Sequence, residues 1–124
     1  MRAIVILFYC LLFSCSPNRM IETSLYFGQS KPGGGMVTES EWRSFKENYI
    51  AKVFKEGSTV YNVSGNWLDP TTKKLITEPT FIVTYYYKKS LSLSKQIDSL
   101  KYWYIKLFEQ QSVLRVDKKA RAFF

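Results

Sequence analysis

The chain is predicted to fold as an α+β domain, two helices on one face of a four-stranded antiparallel sheet, in the order strand, helix, strand, strand, helix, strand. Three observations carry that expectation. Segments of period-two alternation or β-rich composition stand at both ends and in the middle of the chain. Two longer segments repeat apolar residues at three- and four-residue steps, and turn residues separate the two middle strands.

Glu22 to Gly28 alternates, with Thr23, Leu25 and Phe27 on one face and Ser24, Tyr26 and Gly28 on the other, as a half-buried strand does. Gln29 to Met36, carrying Pro32-Gly33-Gly34-Gly35, is a loop. Thr38 and Glu41 have the spacing of a capping box, and Trp42, Phe45, Tyr49 and Val53 set an apolar stripe on a helix from about Glu39 to Phe54. Glu56-Gly57-Ser58 ends it. Thr59 to Trp67 is the second strand, Asp69-Pro70 opens a turn, and Lys74 to Ile76 begins the returning arm. Thr80 to Tyr87, dense in aromatic and β-branched residues, is expected to be central. Ser90 or Ser92 caps a second helix that turns Leu93, Ile97, Leu100, Tyr104 and Leu107 inward and Lys95, Lys101 and Lys106 outward. Ser112 to Lys118 closes the pattern, with Val113, Arg115 and Asp117 on one face and Leu114 and Val116 on the other. That order of elements is the ferredoxin-like βαββαβ sandwich.

The start of the chain has a different character. Arg2 precedes an uncharged apolar run from Ile4 to Phe13, too short to span a bilayer, since a spanning helix needs about twenty residues. Leu12-Phe13-Ser14-Cys15 resembles the bacterial lipobox, in which the cysteine takes a lipid and becomes the new N-terminus; Cys10 is a poor rival because bulky Tyr9 precedes it. The expected organisation is a signal peptide over 1–14, acylated Cys15 and a tether over 15–21, and one domain over 22–124. Of 18 basic residues only Arg2 lies in the signal, so the mature chain carries 17 against 10 acidic residues, a net charge of +7. The excess favours anionic partners, including a lipid surface, but the cations are scattered along the chain with no single long run.

The sharpest exclusions come from missing residue types. There is no histidine, and after processing Cys15 is the remaining cysteine. Ser-His-Asp and Cys-His catalysis, metal or haem sites built on His or Cys, and internal disulfides are thereby ruled out, and no cofactor or metal is expected. Carboxylate, Tyr, Lys and Arg chemistry is left.

Several segments together resemble the bacterial family DUF3574: Glu22 to Gly28, Glu41-Trp42 with Phe45, Gly65-Asn66-Trp67, Glu78-Pro79, and Phe108 to Arg115. Gln111-Ser112-Val113-Leu114-Arg115 is the most specific of them. Where that family is expected to read Gln-Glu-Ser-Val, this chain has Gln110-Gln111-Ser112-Val113, an amide in place of an acid. The resemblance implies an exported ferredoxin-like domain and brings no activity with it.

With both helices on one face, the other face of the sheet is open. Period-two counting sends Tyr26, Tyr86 and Arg115 there, and with Trp67 they form the candidate binding set. The plainer alternatives are that Tyr85-Tyr86-Tyr87 pack across strands, that Trp42 is core, that Trp67 plugs the hairpin end, and that Arg115 pairs with Glu22 or Glu78. The function expected is a non-catalytic binding or interaction module. It would be lipid-anchored in the bacterial cell envelope, on the outer membrane facing the periplasm in a diderm, or secreted if not lipidated. Expected partners are the membrane through the anchor, a second copy through the open sheet face, and a small molecule or envelope protein. The alternative is a small cofactor-free enzyme acting on an anionic molecule through Glu22, Tyr26, Glu78 and Arg115. The RNA-recognition topology shares the sheet, but the chain lacks its aromatic signature, and nucleic acid is not an expected partner.

Overall fold

A computed structural model describes residues 18–124; the signal-like run and Cys15 fall outside this range. The elements are β1 (Arg19–Gly28), α1 (Glu39–Phe45), a π-helical turn (Lys46–Ile50), α2 (Ala51–Val53), β2 (Thr59–Leu68), β3 (Leu75–Tyr87), α3 (Leu91–Phe108) and β4 (Leu114–Arg121). The sheet order is β2-β3-β1-β4 and every neighbouring pair is antiparallel. This is the ferredoxin-like arrangement, with β3 and β1 in the centre.

The alternation in β1 sorts its residues as expected. Leu25 and Phe27 are fully buried under the helices, and Val83 and Tyr85 of β3 join them. The helices answer with Trp42, Phe45, Ile97, Leu100, Tyr104 and Phe108. Among the described residues the members of this cluster run from Leu25 to Val113, with Ile21 packed against them. Among the described residues no helix is long and apolar enough to cross a membrane.

Three details depart from the sequence reading. β1 starts at Arg19, because Met20 and Ile21 already pair with Ala120 and Lys119 of β4; the sheet therefore takes in residues assigned to the tether. On α3 the inward stripe ends on Phe108, while Leu107 is exposed, continuing the four-residue step from Tyr104. The first helix buries Trp42, Phe45, Ile50 and Phe54 rather than Tyr49 and Val53, which are only half-buried. The π-helical turn explains this last shift. It inserts one residue into a turn, so the stripe steps by three, five and four and all following side chains are rotated by one position.

The buried end of this helix is accordingly Phe54. Phe54→Ala is expected to destabilise the protein by about 3–5 kcal/mol, whereas Val53→Ala is expected to cost about 1 kcal/mol. Urea unfolding of the two variants reads the difference, and equal losses would contradict the rotated stripe.

Candidate functional site

On the open side of the sheet β1 carries Glu22, Ser24, Tyr26 and Gly28, and the register sets Tyr86, Thr84, Ile82 and Thr80 of β3 beside them. β2 extends the same face through Gly65 and Trp67, opposite Glu78 and Ile76. At the end where β1 finishes, the loop after β1 and the loop before β4 rise above the sheet. They enclose a concavity of about 580 Å³ lined by Tyr26, Ser30, Trp67, Glu78, Gln110 and Ser112 among others.

Each wall has a local cause. Glu109 adopts a left-handed conformation (φ 54°) that ends α3, and the Glu109 and Gln110 N–H groups both donate to Ile105 O. The chain is thereby turned so that the Gln110 side chain reaches across and donates from Nε2 to Ser30 O at 2.8 Å. Ser30 N in turn donates to Glu78 Oε1 at 3.0 Å, tying the floor of the concavity to both loops. Gly28 leaves space here. A Cβ at that position would lie 2.7 Å from Glu78 Oε1, so a larger residue would make the flexible Glu78 side chain swing its carboxylate away from the end of β1. Opposite Glu78, a Cβ on Gly65 would stand 3.1 Å from Thr80 Oγ1, close enough that the neighbour must give.

From beneath, the core supports the same spot. Tyr104, with no exposed surface, donates its hydroxyl to Gly28 O at 2.8 Å. Burial first, and then the carboxylates of Glu78 and Glu41, push the Tyr104 hydroxyl far above its ordinary value, so it remains a donor at any physiological pH.

The charged residues in the lining are Lys31 and Glu78. Lys31 is already engaged: its Nζ lies 2.8 and 3.0 Å from the two oxygens of Glu41. Hydrogen bonds from Lys31 and from the Thr38 backbone hold the Glu41 carboxyl at about 2, from an ordinary 4.5. Glu78 Oε2 takes no hydrogen bond among the described residues, and the Asn66 amide accepts from Thr77 Oγ1 without donating. With Trp67 49% exposed, the concavity offers a free carboxylate oxygen, side-chain amides, hydroxyls and an aromatic face. Such a set suits a neutral or cationic ligand with hydrogen-bond donors and one flat apolar side.

The structure brings together only part of the residue set read from sequence. Tyr26, Trp67 and Glu78 line one concavity. Trp67 stands open on the sheet face and does not plug the hairpin, whose turn is closed instead by Asp69 accepting from the Thr71 and Thr72 backbone. Glu22 and Tyr86 pair with each other further along the open face; burial first, and then the Glu22 carboxylate, raise the Tyr86 hydroxyl. Tyr85 and Tyr87 are core.

Arg115 is a correction. It opposes fully buried Leu25 in the register and therefore points to the helix side, away from the concavity. There it donates to Ser94 O and Asp98 Oδ1 on α3, to Asp117 on its own strand, and to the Tyr87 hydroxyl. Its carboxylate partners are thus Asp98 and Asp117, in place of Glu22 or Glu78. Burial works against the Asp117 charge, but hydrogen bonds from Arg115 and Thr23 outweigh it and hold that carboxyl below its ordinary range. Arg115 is a clamp between α3 and the sheet, and Glu22, Tyr26, Glu78 and Arg115 do not converge as one catalytic group. Among the described residues, no three carboxylates or thiols gather as a metal site.

Asn66, Gln110, Gln111 and Ser112 line the site without having been singled out as binding residues. Their signal was present: Gly65-Asn66-Trp67, Glu78-Pro79 and the Gln111-Ser112 stretch carry the family resemblance, and all of them come together at this concavity.

Two outcomes follow from this geometry. Gly28→Ala is expected to swing the Glu78 carboxylate off Ser30 N, an exposed bond that water replaces in part, destabilising the fold by about 0.5–1 kcal/mol in urea unfolding; an unchanged midpoint would refute the steric role of Gly28. Because the Glu41 carboxyl is depressed in the folded state, its stabilisation is full above about 4.5 and is lost as the pH falls towards about 2. Glu41→Gln keeps an acceptor at the helix cap, and is expected to flatten the acid side of the stability profile in that window, as read by thermal melts from pH 5 to about 2.

No curated protein sequence matches the chain. Among solved structures, a phage SAM lyase in complex with S-methyl-5'-thioadenosine superposes with a TM-score of 0.59 at 13% identity, covering 83% of this chain and 90% of that one. A phage SAM lyase in its apo state gives 0.55 at 13% identity over 84% and 90%. At that identity the likeness is one of fold. Residues 22–124 match the family described as "Protein of unknown function (DUF3574)". The extent of that match, nearly the whole body, places this chain in the DUF3574 family.

Proposed function

We propose that the protein is a lipid-anchored binding module of the bacterial cell envelope, and that the concavity on its open sheet face takes a neutral or cationic small molecule. The observation that carries the reading is the assembly at one place of Tyr26, Trp67, Glu78, Gln110 and Ser112, drawn from four separate stretches of chain and lining a space where Glu78 Oε2 has no partner among the described residues. A carboxylate, amides and an exposed indole supply recognition; of the cations that the enzymatic alternative could use to hold an anion, Arg115 is committed on the other face and Lys31, in the lining, is held by Glu41. The anchor rests on Ser14-Cys15 at the end of an apolar run, which is the position a lipid-transferring enzyme reads. A second copy across the open face, above Ile82, Val63 and Leu114, is a further partner consistent with this surface.

A second reading is favoured by one comparison: the phage lyase of the same fold holds S-methyl-5'-thioadenosine, a molecule with a flat ring system and hydroxyl donors. That compound is therefore a useful probe beside neutral hexoses, amino sugars and quaternary amines.

The test has two arms. Mass spectrometry of the processed protein is expected to find an acylated Cys15, and Cys15→Ala is expected to leave the membrane fraction on washing with about 0.5 M salt, which removes bonds to lipid headgroups but not an acyl anchor; an unmodified N-terminus beyond that residue defeats the anchor. NMR titration with the four probe classes is expected to shift the Trp67 indole N–H, with Trp67→Ala and Glu78→Gln weakening binding about tenfold or more. Shifts confined to other surfaces, or affinities untouched by both substitutions, defeat the concavity as the site.

A further inference from the structure

The end of the sheet opposite the concavity, where β1 begins and β3 and β4 finish, gathers Arg19, Lys88, Lys89, Lys119 and Arg121. Arg19 and Arg121 are register partners, so two arginines stand directly opposite on neighbouring strands. Like charges so placed repel one another and weaken the pairing unless an anion lies between them. None of the five makes an ion pair with a carboxylate among the described residues. Glu22 lies three register pairs further on, opposite Lys118. A hollow of about 600 Å³ lies among Arg19, Met20, Ile21, Lys89, Lys119 and Arg121, with no acidic residue in its lining. Glu56 is the acid of the adjoining hollow, which it shares with Lys88 and Phe124.

Apolar side chains protrude around these cations. Leu91 is 75% exposed, Phe123 72% and Phe124 fully so. The backbone bond from Ala122 N to Asn18 O, at 3.1 Å, pins the segment before the two phenylalanines against the start of β1. Unpaired cations ringed by exposed Leu and Phe match the two zones of a lipid surface, anionic headgroups and the acyl boundary just beneath them. The connection to Cys15 is short. Three residues lie between it and Arg19, so four Cα–Cα steps keep an anchored Cys15 within about 14 Å of the beginning of β1.

We propose that this end of the domain docks on an anionic lipid bilayer, its five cations meeting headgroup phosphates while Leu91, Phe123 and Phe124 enter the interface. The proposal rests on the anchored reading for its orientation, and its chemistry can be tested without the anchor. The body from Ser16 onward holds the whole buried cluster found among the described residues and needs no lipid for the measurement. In vesicle sedimentation it is expected to partition at least about tenfold more strongly onto phosphatidylcholine containing about 30% phosphatidylglycerol than onto phosphatidylcholine alone, and to be released by about 0.5 M salt. Lys89→Glu with Arg121→Glu is expected to abolish that preference, circular dichroism reporting that the fold is kept. Lys74→Glu with Lys106→Glu makes the same change in net charge elsewhere and is expected to leave most of it. Equal partitioning onto the two vesicle types, or equal loss in both double variants, overturns the docking face. Either result leaves the acylation of Cys15 to be judged by mass spectrometry alone, so the two readings fail separately.

Discussion

The packing of Phe27 against Tyr104, ring centroids 4.6 Å apart, is the contact on which both layers depend. Phe27 is the last inward residue of a central strand and Tyr104 lies one turn before the end of the longer helix, and Trp42, Phe45 and Phe108 close around them with edge-on and tilted rings. A core so aromatic buries much area with few rotors to freeze, which matters in a body of this size. The same tyrosine fixes the floor of the concavity through its hydroxyl, so the site is held by the core itself and not by its loops alone.

A second constraint acts at the other end of α3. Arg115 spreads its guanidinium between Ser94, Asp98 and Asp117, while Thr23 Oγ1 binds the same Asp117 at 2.6 Å. The arginine side chain is only 10% exposed and both its acidic partners are on hand, so its charge is compensated where it is desolvated. The interaction ties the first turn of α3 to β4 and β1, and leaves the helix fixed near both its ends.

The fold was legible because its signals are local and redundant. Alternation in Thr23-Leu25-Phe27 and a helical stripe through Ile97, Leu100 and Tyr104 each name a buried face, and the order of the elements leaves few topologies. The π-helical turn was not legible. Tyr49 and Ile50 are both apolar neighbours, and choosing between them depends on which turn the core can accept. The site was readable in part: parity alone sends Tyr26 and Tyr86 to the open face. The same parity sends Arg115 to the helix side once its strand is paired with Leu25, a register that no local pattern states. Gln110 and Ser112 stand in a segment that carries the family resemblance, but their place over the sheet follows from the left-handed turn at Glu109, which no local pattern states.

β1 joins the two ends that give this molecule its polarity. Ten residues of strand run from Arg19 at one extreme to Gly28 at the other, a rise of about 30 Å. A body seated on its basic end would therefore stand upright like a short mast, with its recess held aloft beyond the headgroup layer. Whatever it captures would then come from the aqueous space rather than sideways out of the bilayer, and a captured molecule would be presented to a visitor from above.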